Sequence, residues 1–339
     1  MGVKFSLAAV VVLVLAAFFG AGAGGTHFFG VIVPCLAIIV FLGGVVYKVL
    51  QWASSPVPFG IPTTAGQQKS LPWIPYSKFD NPSTKGQVVG RMILEVLLFR
   101  SLFRNTKYEM QKGPRFYYQW EKWLWLAGLV FHYCFLVILI RHLRFFTDPV
   151  PFFVHDVERL DGFFQIGLPG VYITDLLFIV TVTYLLIRRL VIPQVRYISL
   201  PQDYFPLFLL LAIGTTGILT RYFTKVDLIK VKQLTMGIIT FNPVVPQGIG
   251  VIFFIHLFLV SVLFAYFPFS KLMHAGGVFL SPTRNLPNDN RMRRHINPWN
   301  YPVKVHTYAE YEDHFREKMI EAGLPVEKDL DEAPAASKN

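Results

Sequence analysis

The sequence predicts an all-α integral membrane protein, a bundle of six transmembrane helices, or five if the first is removed. Of its 339 residues, 53% are hydrophobic and only 16% are charged, whereas soluble domains contain roughly 25% charged residues. The mean hydropathy is +0.45. The apolar residues also fall into long runs, each close to the ~20 residues that span a bilayer as a helix. These three observations favour membrane spans over a soluble core.

Six apolar runs are predicted to cross the membrane: residues 5–23, 28–50, 118–146, 170–192, 203–221 and 248–272. Each is long enough to span a bilayer with its backbone groups bonded internally. The first run also has the pattern of a secretory signal peptide, because Lys4 precedes an apolar stretch that ends in small residues. We therefore expect six spans if this segment is retained and five if it is cleaved.

The net charge of +11 comes from lysine and arginine residues at the ends of the apolar runs. Lipid headgroups and the positive-inside rule account for this placement, so we expect contact with membrane lipids and no binding to nucleic acid. The crowding of these residues in 48–122 and in the C-terminal tail places both regions in the cytoplasm. The loops 147–169 and 222–247 then face outward, and the chain is a multi-pass protein of the inner (cytoplasmic) membrane with a cytoplasmic C-terminus.

Four regions follow from this pattern. Residues 1–50 form two helices, and 51–117 form a cytoplasmic loop. Within that loop, Ser54 to Pro82 is rich in proline, and 84–106 alternates apolar clusters with arginine as expected of a helix lying on the membrane surface. Residues 118–274 form a four-helix domain. Residues 275–339 form a tail in which Thr307 and Glu310 predict a capping box and a short helix.

Four of the nine histidines lie within or at the ends of the predicted spans, where an ionisable side chain is costly and therefore functional by default. His132 and His142 are ten residues apart on the third span, about 15 Å along a helix. His256 and His274 are eighteen residues apart, which is five full turns of one helix and about 27 Å. Because the two helices run antiparallel, depth pairs His132 with His274 and His142 with His256.

This pairing predicts two b haems between the third and sixth spans, each held by two axial histidines, with the four histidines as the iron ligands. The rise from His132 to His142, about 15 Å, is shorter than the rise from His256 to His274, about 27 Å. Tilt, curvature or a bend at Pro268 is therefore required for both pairs to meet. Cys35 and Cys134 both lie in apolar runs, so thiolate-held metal centres are not expected. A zinc or di-iron site would need carboxylates or thiols converging on these helices. The alternative from another class is a haem-free membrane anchor or transporter whose histidines serve packing or proton relay.

Charged residues near the membrane boundaries supply further candidates. Haem propionates need cationic partners, although boundary arginines commonly extend to lipid headgroups instead. The candidates for propionate contacts are Arg141, Arg144, Arg221, Arg188 and Arg189. A quinol site beside the outer haem needs a proton acceptor, and the outer loop offers His155, Asp156, Glu158, Arg159 and Asp161. The sequence contains no catalytic dyad or nucleotide-binding loop, so any substrate chemistry beyond quinol oxidation belongs to a partner.

Several motifs resemble the gamma (cytochrome b) subunit of respiratory nitrate reductases. These are Phe131-His132 with His142, Arg188-Arg189-Leu190 followed by Pro193, and the stretch Pro268-Phe269-Ser270-Lys271-Leu272-Met273-His274. The resemblance covers about residues 118–280 and its haem-ligand spacings agree. The additional N-terminal span, the loop 51–115 and the tail resemble the membrane cytochromes of sulfite-reduction-associated Dsr complexes. The cytochrome b of heterodisulfide reductase is a similar alternative.

The resemblance implies two b haems, exchange of menaquinol or menaquinone at the outer side, and a role in sulfate or sulfite respiration. The implied partners are a cytoplasmic iron–sulfur subunit similar to heterodisulfide reductase and other membrane and periplasmic cytochrome or ferredoxin subunits. In the nitrate reductase subunit an outer lysine serves quinol. This sequence has no lysine between Lys122 and Lys225, and Arg159 is the candidate substitute. Transfer from a periplasmic cytochrome, or electron flow in the reverse direction, stays open.

Overall fold

The computed structural model describes residues 2–56, 66–111, 115–163, 165–167, 169–289 and 305–328. These residues belong to two compact units, the first containing the described residues up to 289 and the second containing 305–328. Residues 275–289 belong to the first unit, with the helices that precede them.

Among the described residues, five helical segments are long and apolar enough to cross a membrane, which makes the chain a multi-pass membrane protein. They are Gly2–Gly22 (α1), Phe28–Ala53 (α2, with a π-helical first turn), Lys122–Phe145 (containing α5, Lys122–His142), Pro201–Phe223 (containing α9, Pro201–Ile218) and Val251–Phe269 (containing α11, Val251–Tyr266). The predicted span 170–192 corresponds to α7, Ile173–Val191, which carries Asp175, Arg188 and Arg189. Its extra charge separates it from the other five, although it has the length of a span and packs between α5 and α9.

Shorter elements connect these helices. They are α3 (Lys85–Leu98), α4 (Arg100–Phe103), β1 (Thr106–Gln111), β2 (Arg115–Trp120), α6 (Phe152–Phe163), β3 (Gln165–Ile166), β4 (Val171–Tyr172), α8 (Pro193–Ile198), α10 (Leu228–Ile239), α12 (His274–Leu280) and α13 (Pro282–Asn285). Strands β1 and β2 form an antiparallel hairpin that pairs Thr106 with Trp120. The predicted span 118–146 thus begins too early, because residues up to 120 belong to β2 and α5 starts at Lys122.

Helix α1 is integrated into the bundle and packs on α9 and α11. The Ser6 hydroxyl donates to the carbonyl oxygen of Pro201 at 2.8 Å, and Ala17 is fully buried. The contact also places the start of α1 on the same side of the bundle as the start of α9. These contacts favour the interpretation of the first apolar run as a span over its interpretation as a cleaved signal.

Helix α3 has the polarity expected at a membrane surface. Its exposed face is apolar and consists of Val89, Ile93, Val96 and Leu97, whereas Arg91 on the opposite face is buried. An exposed apolar face is costly in water and suits the bilayer interface. Two aromatic side chains of α5 hold the C-terminal end of α3. Trp125 Nε1 donates to Leu98 O at 2.7 Å, and the Tyr133 hydroxyl donates to Leu97 O at 3.0 Å.

Asp80 organises the loop before α3. The Ser77 hydroxyl donates to its carboxylate at 2.6 Å, and Arg100 and Arg104 form ion pairs with it. Burial alone would raise the pKa of Asp80, but the hydrogen bonds from Arg100, Ser77 and Arg104 outweigh that effect and hold the pKa well below its ordinary value. Asp80 thereby fastens the proline-rich segment to the helices that follow it.

We expect Asp80→Asn to loosen this loop by about 2 kcal/mol, the usual scale of a hydrogen-bonded charge that loses its partners. Because the folded-state pKa is depressed, the stabilisation is complete above a pH of about 4, the ordinary pKa of aspartate, and declines as the pH falls from there. Limited proteolysis of the detergent-solubilised protein at neutral pH measures the effect as faster cleavage between residues 66 and 105. The exposed Asp156→Asn serves as the control, and equal cleavage of both variants contradicts the role of Asp80.

The loop and the segment after the last span also fold against each other. The Asn288 backbone N–H donates to Pro82 O at 2.6 Å, its side-chain amide donates to Asn81 Oδ1 at 3.1 Å, and Arg284 forms an ion pair with Glu95. These contacts explain why the first unit extends past residue 274.

The second unit contains helix α14, Tyr308–Glu321, with the predicted capping box at its start. The Glu310 N–H donates to the Thr307 hydroxyl at 3.3 Å, and the Thr307 N–H donates to the Glu310 carboxylate at 3.0 Å. Buried Glu312 accepts the Glu327 N–H at 3.0 Å, which folds the chain back along the helix.

Candidate functional site

The four histidines singled out in the sequence lie in two pairs. The ring centres of His132 and His274 are 6.0 Å apart, and those of His142 and His256 are 6.5 Å apart. The pairs are those that depth along the antiparallel helices predicts. Helix α5 carries one member of each pair, ten residues apart, so the pairs are separated by about 15 Å along it.

The prediction that His256 and His274 share one stripe of a continuous helix is wrong. Helix α11 ends at Tyr266, and two single 3₁₀ turns, Phe267–Phe269 and Lys271–Met273, follow it. Between them Ser270 is extended, with φ −122° and ψ 175°. Proline cannot donate the helical hydrogen bond at position 268, which favours the break. The break redirects the chain, and this reconciles the unequal rises along the two predicted helices.

Helix α2 leaves room for the break. Pro268 is fully buried beside Gly44, where an added Cβ would lie 2.7 Å from the Pro268 Cβ. That distance is well below van der Waals contact, so Gly44 allows α2 to approach the turn that positions His274.

Each histidine is oriented by a backbone carbonyl at its Nδ1. The acceptors are Gly128 O for His132, Ile138 O for His142 and Lys271 O for His274, all at 2.7 Å, and Ile213 O for His256 at 3.1 Å. A carbonyl can only accept, so Nδ1 carries the proton in all four rings and the lone pair is on Nε2. A carbonyl bond at one ring nitrogen and a free second nitrogen are typical of metal-ligating histidines.

The spacing within each pair fits a metal ion between two imidazoles. Metal–nitrogen bonds of about 2 Å, with ~1 Å from each nitrogen to its ring centre, place the ring centres about 6 Å apart. No cluster of three or more His, Cys, Asp or Glu side chains that could hold a metal occurs among the described residues. Two protein ligands alone suit a metal whose remaining ligands come with it, as the four nitrogens of a porphyrin do. The residues therefore fit haem.

An apolar cavity surrounds the pair His142–His256. Its lining comes from α5, α7, α9, α10 and α11. Four charged side chains in the lining are linked by shared ion-pair and ring contacts and form its charged end: Arg141, Arg144, Asp175 and Arg221. Helices α5 and α11 each pack on other helices, α5 on α7 and α11 on α9, and face each other across this space. A flat apolar group with a charged edge suits such a cavity.

Gly217 on α9 leaves space for the ring of His256. A Cβ added there would lie 3.1 Å from the His256 Cε1, and Gly217 itself lines the cavity. The Thr216 hydroxyl lies 3.1 Å from the His256 Nδ1. Helix α9 therefore both orients His256 and leaves the space beside it open.

The pair His132–His274 lies in a more open setting. His274 is exposed, and the ring of His132 packs edge-on against Phe99 and Phe131, at centroid distances of 4.9 and 4.8 Å. Phe99 has the left-handed backbone conformation, with φ 50°, in the corner between α3 and α4. The folded loop before the third span thus contacts this pair directly.

Three of the five arginines predicted to contact propionates line the cavity. Arg141 is buried and forms ion pairs with Asp161, at 3.1 Å, and Asp175. Arg144 and Arg221 share one carboxylate, that of Glu158. These three side chains form the charged end of the cavity beside the pair His142–His256.

The other two arginines have different partners. Arg188 forms an ion pair with Glu121 at 3.2 Å, and Arg189 donates to the Ser199 hydroxyl at 2.8 Å. These contacts fasten α7 to the start of α5 and to the loop before α9. A contact of Arg188 or Arg189 with a propionate stays a prediction.

Three of the five residues predicted for a quinone site line one pocket, and Asp156 and Asp161 do not. His155, Glu158 and Arg159 line a shallow surface pocket together with Tyr172. Asp156 is exposed and forms a long ion pair with Arg159, at 3.8 Å. Asp161 is buried, and its ion pair with Arg141 at 3.1 Å and the hydrogen bond it accepts from the Thr174 hydroxyl at 2.6 Å offset the cost of that burial.

Sequence reasoning missed three residues of the charged end: Asp175, Tyr172 and Tyr222. The Tyr222 hydroxyl donates to Asp175 at 2.6 Å, and the guanidinium groups of Arg141 and Arg221 lie over the Tyr172 ring at 4.7 and 4.4 Å. A signal for Asp175 was present, because it is an acidic residue inside an apolar run. No comparable sequence signal pointed to Tyr172 or Tyr222.

Comparison with known proteins identifies the family of this chain. The family described as nitrate reductase gamma subunit matches residues 93–290, more than half of the chain and including all four histidines. The chain belongs to the nitrate reductase gamma subunit family. The respiratory nitrate reductase 1 gamma chain of Escherichia coli is 30% identical over 167 residues, which cover 45% of this chain and 71% of the relative.

Two archaeal relatives extend the similarity over most of the chain. The Hdr-like menaquinol oxidoreductase cytochrome b-like subunit of Archaeoglobus fulgidus is 50% identical over 289 residues, 83% of this chain and 86% of the relative. The protein of the same name from Archaeoglobus profundus is 43% identical over 273 residues, 78% of this chain and 81% of the relative. The similarity to these two proteins extends beyond residues 93–290, which match the nitrate reductase gamma subunit family.

Proposed function

We propose that this chain is a di-haem membrane cytochrome b that transfers electrons between menaquinol at the outer side and a cytoplasmic iron–sulfur subunit. The observation that carries the proposal is that α5 contributes one histidine to each of two histidine pairs at different depths, His132–His274 and His142–His256. In each pair both Nδ1 atoms are engaged by the protein and both Nε2 atoms are left for a metal. When bound, haem iron supplies a one-electron carrier.

The chain's own residues then have distinct tasks. His142 and His256 hold the outer group, and His132 and His274 hold the inner one. Arg144 and Arg221, which have a single carboxylate between them, retain net positive charge for propionates. The backbone carbonyls at the four Nδ1 atoms fix the orientation of the rings and raise the basicity of the ligating nitrogens.

The orientation in the membrane follows from charge. Lysine and arginine residues crowd the loop before α5 and the loop around α8, which places both in the cytoplasm. With α7 as a sixth span, both ends of the first unit are cytoplasmic. The pair His132–His274 then lies at the cytoplasmic boundary, and the pair His142–His256 lies toward the outside.

The names of the archaeal relatives support menaquinol as the quinol and a heterodisulfide-reductase-like partner as the acceptor. We infer a role in sulfate or sulfite respiration, as in the membrane cytochromes of Dsr complexes, with other membrane and periplasmic cytochrome or ferredoxin subunits in the same assembly. Membership of a nitrate reductase or heterodisulfide reductase complex is the alternative within the family. A haem-free anchor or transporter is the alternative outside it.

The test is the haem content and redox behaviour of the purified protein. We expect two haems b per chain in a pyridine haemochrome assay and reduction of at least one of them by a soluble menaquinol analogue in the absence of other subunits. A purified protein without haem absorbance overturns the cytochrome assignment. Haems that dithionite reduces but the quinol analogue does not would contradict the quinol assignment alone.

A further inference from the structure

The corner between α3 and α4 is formed by one residue in an unusual backbone conformation. Phe99 ends α3, since its N–H donates to Glu95 O at 3.1 Å, and begins α4, since its carbonyl oxygen accepts the Phe103 N–H at 3.0 Å. Its φ of 50° and ψ of 47° are left-handed. Glycine or asparagine usually occupies this conformation at a helix end, because a bulky side chain is strained there. A phenylalanine in this position indicates that its side chain has a task that offsets the strain.

The helical bundle holds this corner at the level of His132. The carbonyl oxygen two residues before Phe99 accepts the hydroxyl of Tyr133 at 3.0 Å, and Tyr133 directly follows His132 in the sequence. Beyond the corner, Leu102 Cδ2 lies 3.6 Å from the position that a Cβ on Gly128 would take. Gly128 provides the carbonyl that accepts from His132 Nδ1. The corner is therefore fixed to the turns of α5 that carry and orient His132.

The half-buried side chain of Phe99 restrains the ring of His132. The two ring centroids are 4.9 Å apart and the ring planes are inclined by 85°, an edge-on arrangement that aromatic rings favour. The hydrogen bond at Nδ1 fixes one point of the imidazole but leaves it able to tilt about the N–H···O axis. Among the described residues, the other ring neighbours of His132 are Phe131, next to it on α5, and its partner His274. Phe99 thus restrains this tilt from the cytoplasmic loop.

The outer pair has a comparable second contact from a different element. His256 is bonded to Ile213 O and also lies 3.1 Å from the Thr216 hydroxyl, and both of these groups belong to α9. In each pair, one histidine therefore combines a backbone carbonyl at Nδ1 with a side-chain contact from a neighbouring element. At the inner pair that side chain is Phe99.

We propose that Phe99 is a positioning residue of the inner haem site, where it fixes the plane of the His132 imidazole. The proposal rests on the proposed function, because it concerns a haem held by His132 and His274. These two imidazoles are inclined by 83°, so the restraint keeps them close to perpendicular. The cytoplasmic loop thereby influences the electronic state of the inner haem, although the four iron ligands lie outside it.

The test compares electron paramagnetic resonance spectra of the full-length, haem-loaded protein and its variants. The inner signal is the one that remains in His256→Ala. Phe99→Gly removes the ring, and glycine adopts the left-handed conformation freely, so the chain can still form the corner. We expect the largest g value of the inner signal to decrease by more than its linewidth, because His132 can then tilt away from the perpendicular. Phe99→Tyr keeps the ring and should retain the wild-type signal, and the outer signal should be unchanged in both variants.

Phe103→Ala is the matched control. It removes an aromatic side chain from the same loop, one turn further along, where Phe103 packs on Trp125 at a centroid distance of 4.9 Å. Both haem signals should stay at their wild-type positions. If Phe99→Gly does not retain haem, the comparison of Phe99→Leu with Phe99→Tyr decides. Both keep a side chain on the same strained backbone and only tyrosine keeps the ring, so only Phe99→Leu should shift the inner signal.

The outcomes separate this proposal from the proposed function. A wild-type protein without haem overturns both. Two haems in the wild type, with an inner signal that removal of the Phe99 ring leaves unchanged, overturn only the role of Phe99. An equal shift of the inner signal in Phe103→Ala also overturns that role, since general loosening of the loop then accounts for the effect. So does a shift in Phe99→Tyr as large as that in Phe99→Gly.

Discussion

Replacement of His256 by alanine is expected to leave the purified protein with one haem b per chain instead of two. The outer group then keeps a single axial nitrogen, from His142, in a cavity whose lining is mostly apolar and offers no substitute ligand at that position. The pair His132–His274 does not share a residue with this cavity, so the inner haem should be retained. The pyridine haemochrome assay measures the ratio, and the low-spin signal of the outer haem should disappear from the electron paramagnetic resonance (EPR) spectrum.

His155→Ala is the matched control for this variant. His155 is also on the outer side in our proposed orientation, but it lies in the shallow surface pocket on α6 and belongs to neither pair. We expect it to retain two haems. Retention of both haems in His256→Ala would contradict the ligand assignment, and so would loss of both haems in a variant whose circular dichroism spectrum matches the wild type.

The histidine pairs were predictable because both periodicity and membrane energetics act on them. A histidine in an apolar run is exceptional, and antiparallel helices bring equal depths together. The break after α11 was not predictable in the same way, because Pro268 signals a possible kink but not its size or direction. Its geometry depends on Gly44 of α2, which is more than two hundred residues away in sequence.

The charged end of the cavity shows a different limit. Hydropathy identifies Arg141 and Arg221 as boundary arginines, and boundary arginines usually extend to lipid headgroups. Their actual partners come from α6 and α7, through side-chain pairs such as Arg141–Asp175 that no local pattern encodes. The contacts of Arg188 with Glu121 and of Arg189 with Ser199 and Asp203 were likewise not encoded in any local pattern.

The cytoplasmic loop was predicted in outline and not in structure. Alternation of apolar residues with arginine indicated the surface helix α3, and the apolar face of α3 is indeed exposed. The hairpin β1–β2 was missed, since its residues were assigned partly to the loop and partly to the third span. Aromatic residues such as Phe116 and Trp120 favour strands as well as membrane helices, so composition alone could not separate the two.

The two haems are expected to give two distinct low-spin ferric EPR signals, because the imidazole planes differ between the pairs. The rings of His142 and His256 are inclined by 25°, whereas those of His132 and His274 are inclined by 83°. Near-parallel imidazoles donate into the same iron d orbital and split it from its partner. Near-perpendicular imidazoles donate into both orbitals about equally, which leaves them close in energy and makes the largest g value larger.

The inner haem should therefore have the more anisotropic signal, and that signal should survive in His256→Ala. Thr216→Val provides the control for orientation, because it removes the hydroxyl beside the His256 Nδ1 and keeps the Ile213 carbonyl. It should shift the outer signal and leave the inner one unchanged. Two superimposable signals in the wild type would contradict the ring geometry, and a shift of the inner signal in Thr216→Val would contradict the assignment of Thr216 to the outer pair.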